Sequence, residues 1–175
     1  MITDISGEFY PGEIDPTLVA IAQSLVDAGA SDPLAGWTPE QWAVLAEFGE
    51  KQVVIIMPDE TDAGIDAAVK TAVARTSGLC LLIIPGSGKN PDTESTGPLV
   101  TLEIEMQLFV ATRVRGKNAV SVMSLVGAVA KFYHLSKIRV STFAPYEKLK
   151  FLGFDPLKDE DFTAFAINFQ REMML

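Results

Sequence analysis

The chain has one cysteine and one histidine in 175 residues. A lone Cys80 closes no intrachain disulfide, and its place in the apolar run Leu79 to Ile84 predicts a small buried hydrophobe in a reducing cytoplasm. A lone His134 excludes a histidine metal cluster and leaves little choice of general base; near the end of an apolar helix it is expected to meet the last carbonyls. No apolar run reaches the ~18 residues of a membrane span. The opening MITDISGEFYPGEIDP is acidic where a secretory leader is basic and then apolar, so neither signal peptide nor membrane segment is expected. Basic residues are almost missing from Met1 to Asp62, where twelve acids face Lys51 alone for a net −11. The balance reverses from Arg113 to Lys150, with eight bases against Glu147 for +7. A pI of about 4.6 speaks against sequence-specific nucleic-acid binding; the charge asymmetry reads either as a solvated surface or as acidic and basic faces of neighbouring copies that meet head to tail.

What is present is apolar pattern. With 48% hydrophobic residues and a mean hydropathy of +0.24, residues 1–175 read as one folded domain. Residues 1–50 form an N-terminal helical segment of it. The organising stretch is Leu99 to Arg113, where Val100, Leu102, Ile104, Met106, Leu108 and Val110 recur at every second position. That period belongs to a strand with one buried face. Thr101, Glu103, Glu105 and Gln107 fall on the other face, which an antiparallel sheet leaves wet or offers to another subunit. The run is about twice the usual strand of ~5–6 residues, so it is expected to pass the edge of its own domain.

In chain order, Asp15-Pro16 opens a helix to Ala28, and Thr38-Pro39-Glu40-Gln41 is a cap and capping box leading into a short helix that ends near Gly49. Trp37 and Trp42 are placed as a hydrophobic staple across that cap. Gln52 to Pro58 reads as a central strand, Ala63 to Thr76 as a helix capped by Asp62, and Leu79 to Ile84 as a second buried strand. That order allows a parallel crossover. Pro85 to Gly97 is predicted to be a mobile loop from its Gly, Pro, Ser and Thr content. Ala119 to Leu135 is a helix apolar nearly all round, Ile138 to Phe143 a strand, Pro145 to Lys158 a loop or short helix, and Phe162 to Arg171 a strand closing the sheet. The fold class is α+β, a mixed and mainly antiparallel sheet with helices packed on one face.

Two motifs invite chemistry. Pro85-Gly86-Ser87-Gly88-Lys89 suggests a phosphate loop, yet Ile83 stands where the first glycine belongs, Asn90 replaces the metal-binding hydroxyl, and Pro91 follows where a helix must begin. Ser87 also lacks the spacing of a nucleophile elbow. Asp59 at a strand end with Glu103 and Glu105 on another strand is the acidic set of a small metal-dependent, nuclease-like α/β enzyme, but the lysine expected beside it is Glu105. The sequence therefore assigns no catalytic, cofactor or metal residue.

The order of elements from Pro16 to Met173, with the long strand LEIEMQLFV turning through Arg113 to Asn118 into an apolar helix, resembles the tail terminator and tail completion proteins of tailed bacteriophages, including Mu-like prophage tail proteins. The resemblance implies a non-enzymatic virion protein, assembled in the host cytoplasm as a homohexameric ring at the head-proximal end of the tail. It would stop polymerisation of the tail tube protein and meet the head-tail connector protein. In such a ring Glu103, Glu105 and Gln107 are expected to face the lumen, and Arg113, Arg115 and Lys117 the subunit interface.

Overall fold

The computed structural model describes residues 2–4, 16–56, 60–76, 78–89, 99–115, 119–135, 138 and 149–174. Chain order gives β1 (Ile2–Asp4), α1 (Pro16–Gly29), α2 (Pro39–Ala43) running into a 3-10 turn (Val44–Glu47), β2 (Val53–Ile56), α3 (Asp62–Arg75) and β3 (Leu79–Lys89). There follow β4 (Leu99–Val110), a single-turn α4 (Thr112–Arg115), α5 (Val122–Leu135), β5 (Lys150–Leu157) and β6 (Thr163–Met174). The six strands form one sheet in the order β1-β2-β3-β4-β6-β5. Among the described strands only β2 and β3 pair in parallel; their other pairings are antiparallel. The fold is α+β around a mixed, mostly antiparallel sheet.

Local chemistry sets the helix starts. Thr38 Oγ1 accepts from Gln41 N at 3.3 Å, and the Trp37 and Trp42 rings meet edge to face at 5.2 Å, the staple across that cap. The side chain of Gln41 does not complete a capping box, since its Oε1 accepts from Lys131 Nζ on α5 at 2.8 Å. The cap of α3 is Thr61 and not Asp62: Thr61 Oγ1 accepts from Gly64 N at 3.1 Å, which puts Asp62 in the first turn, where its charge favours the helix dipole. Ser121 Oγ accepts from Ser124 N at 3.1 Å, so α5 starts at Val122 and not at Ala119.

The main core lies on one sheet face. Leu18, Ile21 and Leu25 of α1, Trp42, Leu45 and the inner side of α5 pack there on Val53, Ile55, Leu81, Ile83, Ile104, Met106, Leu108, Ile167 and Phe169. Tyr133 Oη donates to Ile21 O at 2.7 Å and ties α5 to α1. Burial pushes the Tyr133 phenol far above its ordinary pKa, a shift the Ser24 hydroxyl partly opposes.

The helices do not all share that face. Val69, Ala72 and Val73 of α3 pack on the opposite face, against Val54, Ile56, Cys80, Leu82 and Phe109. Strand direction explains the difference. The β2-α3-β3 and β4-α5-β5 crossovers move the same way across the sheet, but β4 runs antiparallel to β3. Right-handed crossovers from oppositely directed strands lay their helices on opposite faces.

Three strand expectations are corrected. First, β4 does not run past its domain, because all twelve residues pair with β6, from Leu99↔Met174 to Val110↔Thr163. Second, β6 is internal, and the edge belongs to β5, built from residues 150–157 that were expected in a loop or short helix. Third, β3 continues to Lys89, so the expected loop is strand over Pro85–Lys89; pairing to β4 resumes at Gly88↔Leu102 after an irregularity that accommodates Pro85. Residues 90–97 of that loop, and 139–143 of the expected strand after Ile138, lie outside the described residues.

Candidate functional site

Strand alternation commits Ile104, Met106, Leu108 and Val110 to the main core, so Glu103, Glu105, Gln107 and Phe109 point to the other face. The fate of that second face changes along β4. At Phe109 it is closed by the α3 cluster, with Phe162 edge to face on Phe109 at 6.2 Å. Toward Glu103 no described helix covers it, and among the described residues nothing packs over the half of the face carried by β4, β6 and β5. Its cross-strand rows read Glu103↔Gln170↔Lys150, Glu105↔Asn168↔Gly153 and Gln107↔Ala166↔Asp155.

Glu103, Glu105, Leu152, Gly153, Asp155 and Asn168 line one shallow depression there. Gln107 Nε2 donates to Glu105 Oε1, ordering the row. Ala166 is buried in the row beside the depression, and Ala164 beyond it belongs to the α3 cluster. Three carboxylates (Glu103, Glu105, Asp155) and three side-chain amides (Gln107, Asn168, Gln170) share these rows with Lys150 alone as a cation, so their net charge of −2 repels phosphate and accepts donors from a basic or amide-bearing partner. Among the described residues no group of three His, Cys, Asp or Glu converges closely enough to hold a metal ion. Asp59 of the expected acidic set lies outside the described residues.

The basic cluster is divided. Arg113 is exposed on α4, whereas Arg115 turns inward, its side chain 7% exposed, with Nη2 2.9 Å from Glu47 Oε2. Arg115 is thus committed within its own chain, because the single turn of α4 points alternate residues to opposite sides. Lys117 lies outside the described residues. His134 is exposed in the last turn of α5, and Cys80 is fully buried, its thiol pushed up to about 12 by desolvation.

Sequence reasoning missed the edge. Leu152 is 50% exposed and Phe154 42% exposed on β5, which among the described residues is a margin of the sheet. The register shift between Phe151 and Gly153 hides this strand, since one inserted residue breaks the period of two. The signal in the sequence is the polar–apolar alternation of Lys150 and Phe151 and of Phe154 and Asp155 on either side of the shift in KFLGFDPL. No family model and no curated protein sequence matches the chain.

Proposed function

We propose that the chain is a structural, ring-forming protein of the tail-terminator kind, which caps a tail tube and offers a second surface to a head-tail connector. The observation that carries this is the open half-face of β4, β6 and β5. A twelve-residue strand is buried along one side and presents Glu103, Glu105 and Gln107 along the other, in a chain whose helices supply no cover for them among the described residues. Six copies arranged around an axis would turn these faces into an acidic channel. An acidic lining repels the DNA backbone and lets it slide, the reverse of what phosphate-neutralising lysines do. Tail tube protein and connector protein are the partners that go with this role, and the virion tail is its location.

Replacing Glu103 and Glu105 together with lysine tests the assignment. Both side chains are half-buried on the uncovered face, so circular dichroism and assembly should match the parent. The assembled variant should retain DNA at low salt and release it as salt rises, while the parent binds none. Equal DNA binding by the two proteins would remove the face from the lumen, and loss of fold would make the glutamates structural. Cleavage of DNA by the parent with Mg²⁺ or Mn²⁺ would overturn the non-enzymatic role.

A further inference from the structure

If open sheet faces line a channel, neighbouring copies must adjoin at the sheet margins, and the described sheet has two, β5 and β1. They differ in shape and charge. We propose that the β5 edge of one copy docks into the groove beside α3 at the β1-β2 edge of the next copy. This contact rests on the ring proposed above and names the two surfaces that make it.

The groove lies between α3 and β2, on the same sheet side as the open face. Its walls are small, with Gly64, Ala67, Ala68 and Thr71 from α3. Val54 forms its floor and, through the register Asp4↔Val54, places it beside β1. Lys51 and Arg75 line the same groove, so it presents two cations. Thr61 caps α3 at the other end through Gly64 N.

The β5 edge supplies the complement. Asp155 is opposite Ala166 and therefore stands on the α3 side of the sheet. Leu152, in the register shift, lines the open-face depression together with Asp155 and is half exposed. Continuing β5 into the hairpin, Asp159, Glu160 and Asp161 are exposed, and Asp159 Oδ1 holds their turn by accepting from Asp161 N and Phe162 N. An apolar side chain beside a carboxylate, next to an acidic turn, meets a small-residue groove with two cations.

A continuous backbone ladder across this contact is not required. Pro156 lacks an N–H, and the register shift bends the strand, two devices that blunt indiscriminate edge pairing. Leu152 and Asp155 instead give side-chain recognition, with charge excluding wrong partners. Because the two surfaces differ, the contact is heterologous, the kind that propagates into rings.

Charge exchange in the full chain tests it. Asp155→Arg and Arg75→Glu each put like charges face to face and should raise the concentration for half-assembly by at least about tenfold, measured by sedimentation velocity at low salt. The double variant Asp155→Arg with Arg75→Glu should restore assembly. Leu152→Asp should weaken it with no change in circular dichroism, since the side chain is half exposed. Parent rings with unaffected single variants would overturn this contact and leave the ring standing. Disrupted single variants without rescue in the double variant would also overturn it. A monomeric parent would remove the ring and the contact together.

Discussion

Arg115 Nη2 donates to Glu47 Oε2 at 2.9 Å across 68 residues of chain, joining the turn after β4 to the 3-10 turn that precedes β2. The guanidinium is almost fully buried and the carboxylate about one-third exposed. The cost of breaking the pair falls between the ~0.2–1 kcal/mol of surface pairs and the ~3–5 kcal/mol of buried ones. Glu47→Gln should therefore lower stability by roughly 2 kcal/mol, read as a reduced urea midpoint at unchanged slope. An unchanged midpoint would place Arg115 among ordinary surface pairs.

Lys131 should hold the loop between α1 and α2. Its Nζ lies 4.4 Å from the Trp37 ring centroid and donates to Gly36 O at 2.9 Å and Gln41 Oε1 at 2.8 Å. Trp42 is anchored separately, its Nε1 donating to Ser31 O at 2.8 Å. Lys131→Met should cost about 1 kcal/mol and increase acrylamide quenching of tryptophan fluorescence through Trp37, leaving Trp42 protected. Unaltered quenching would mean that the loop is held without the lysine.

Gly78 should resist replacement. Its φ of +93° is a conformation that L residues rarely adopt, and an added Cβ would stand 3.1 Å from Ala111 O, where the chain leaves β4. Gly78 O also accepts from Ala111 N at 2.9 Å, so the backbone has little room to move. Gly78→Ala should destabilise by about 1–3 kcal/mol, seen as a lower thermal midpoint.

Alkaline pH should weaken the fold in a defined window. Cys80 titrates near 9.0 in the open and is pushed up to about 12 by burial. The unfolded chain therefore loses this proton before the folded chain does, so the contribution is complete below about pH 9 and declines as pH rises toward 12. Tyr133 is raised in the same direction by burial, and its ionisation adds to the decline above its ordinary value of 10.0. Urea midpoints should fall as pH rises above 9, less steeply in Cys80→Ala. A steeper fall in that variant would contradict the assignment.

Much of this architecture is legible from period and caps. The face of β4 follows from Ile104, Met106 and Leu108, the parallel pair from the β-branched runs on either side of α3, and the staple from Trp37 and Trp42 around Thr38. What escapes is set by long-range pairing. Pro85, Gly86 and Gly88 read locally as a loop, and β4 beside them turns the segment into strand. Gly153 and Pro156 read locally as breakers, and β6 holds them at an edge. The position of α3 follows from the relative direction of β3 and β4, which composition does not encode. Glu103, Glu105 and Gln107 were therefore accessible by alternation, whereas Leu152 and Asp155 became visible only once β5 had a place in the sheet.

The proposed ring, its opening lined by the face of β4, β6 and β5, is open to direct observation. Negative-stain electron microscopy of the purified chain, with sedimentation velocity on the same sample at high micromolar concentration, measures this most directly. The account predicts closed rings of six copies with a central opening. A monomer at every concentration and salt level, both alone and with an added tail tube protein, would contradict it.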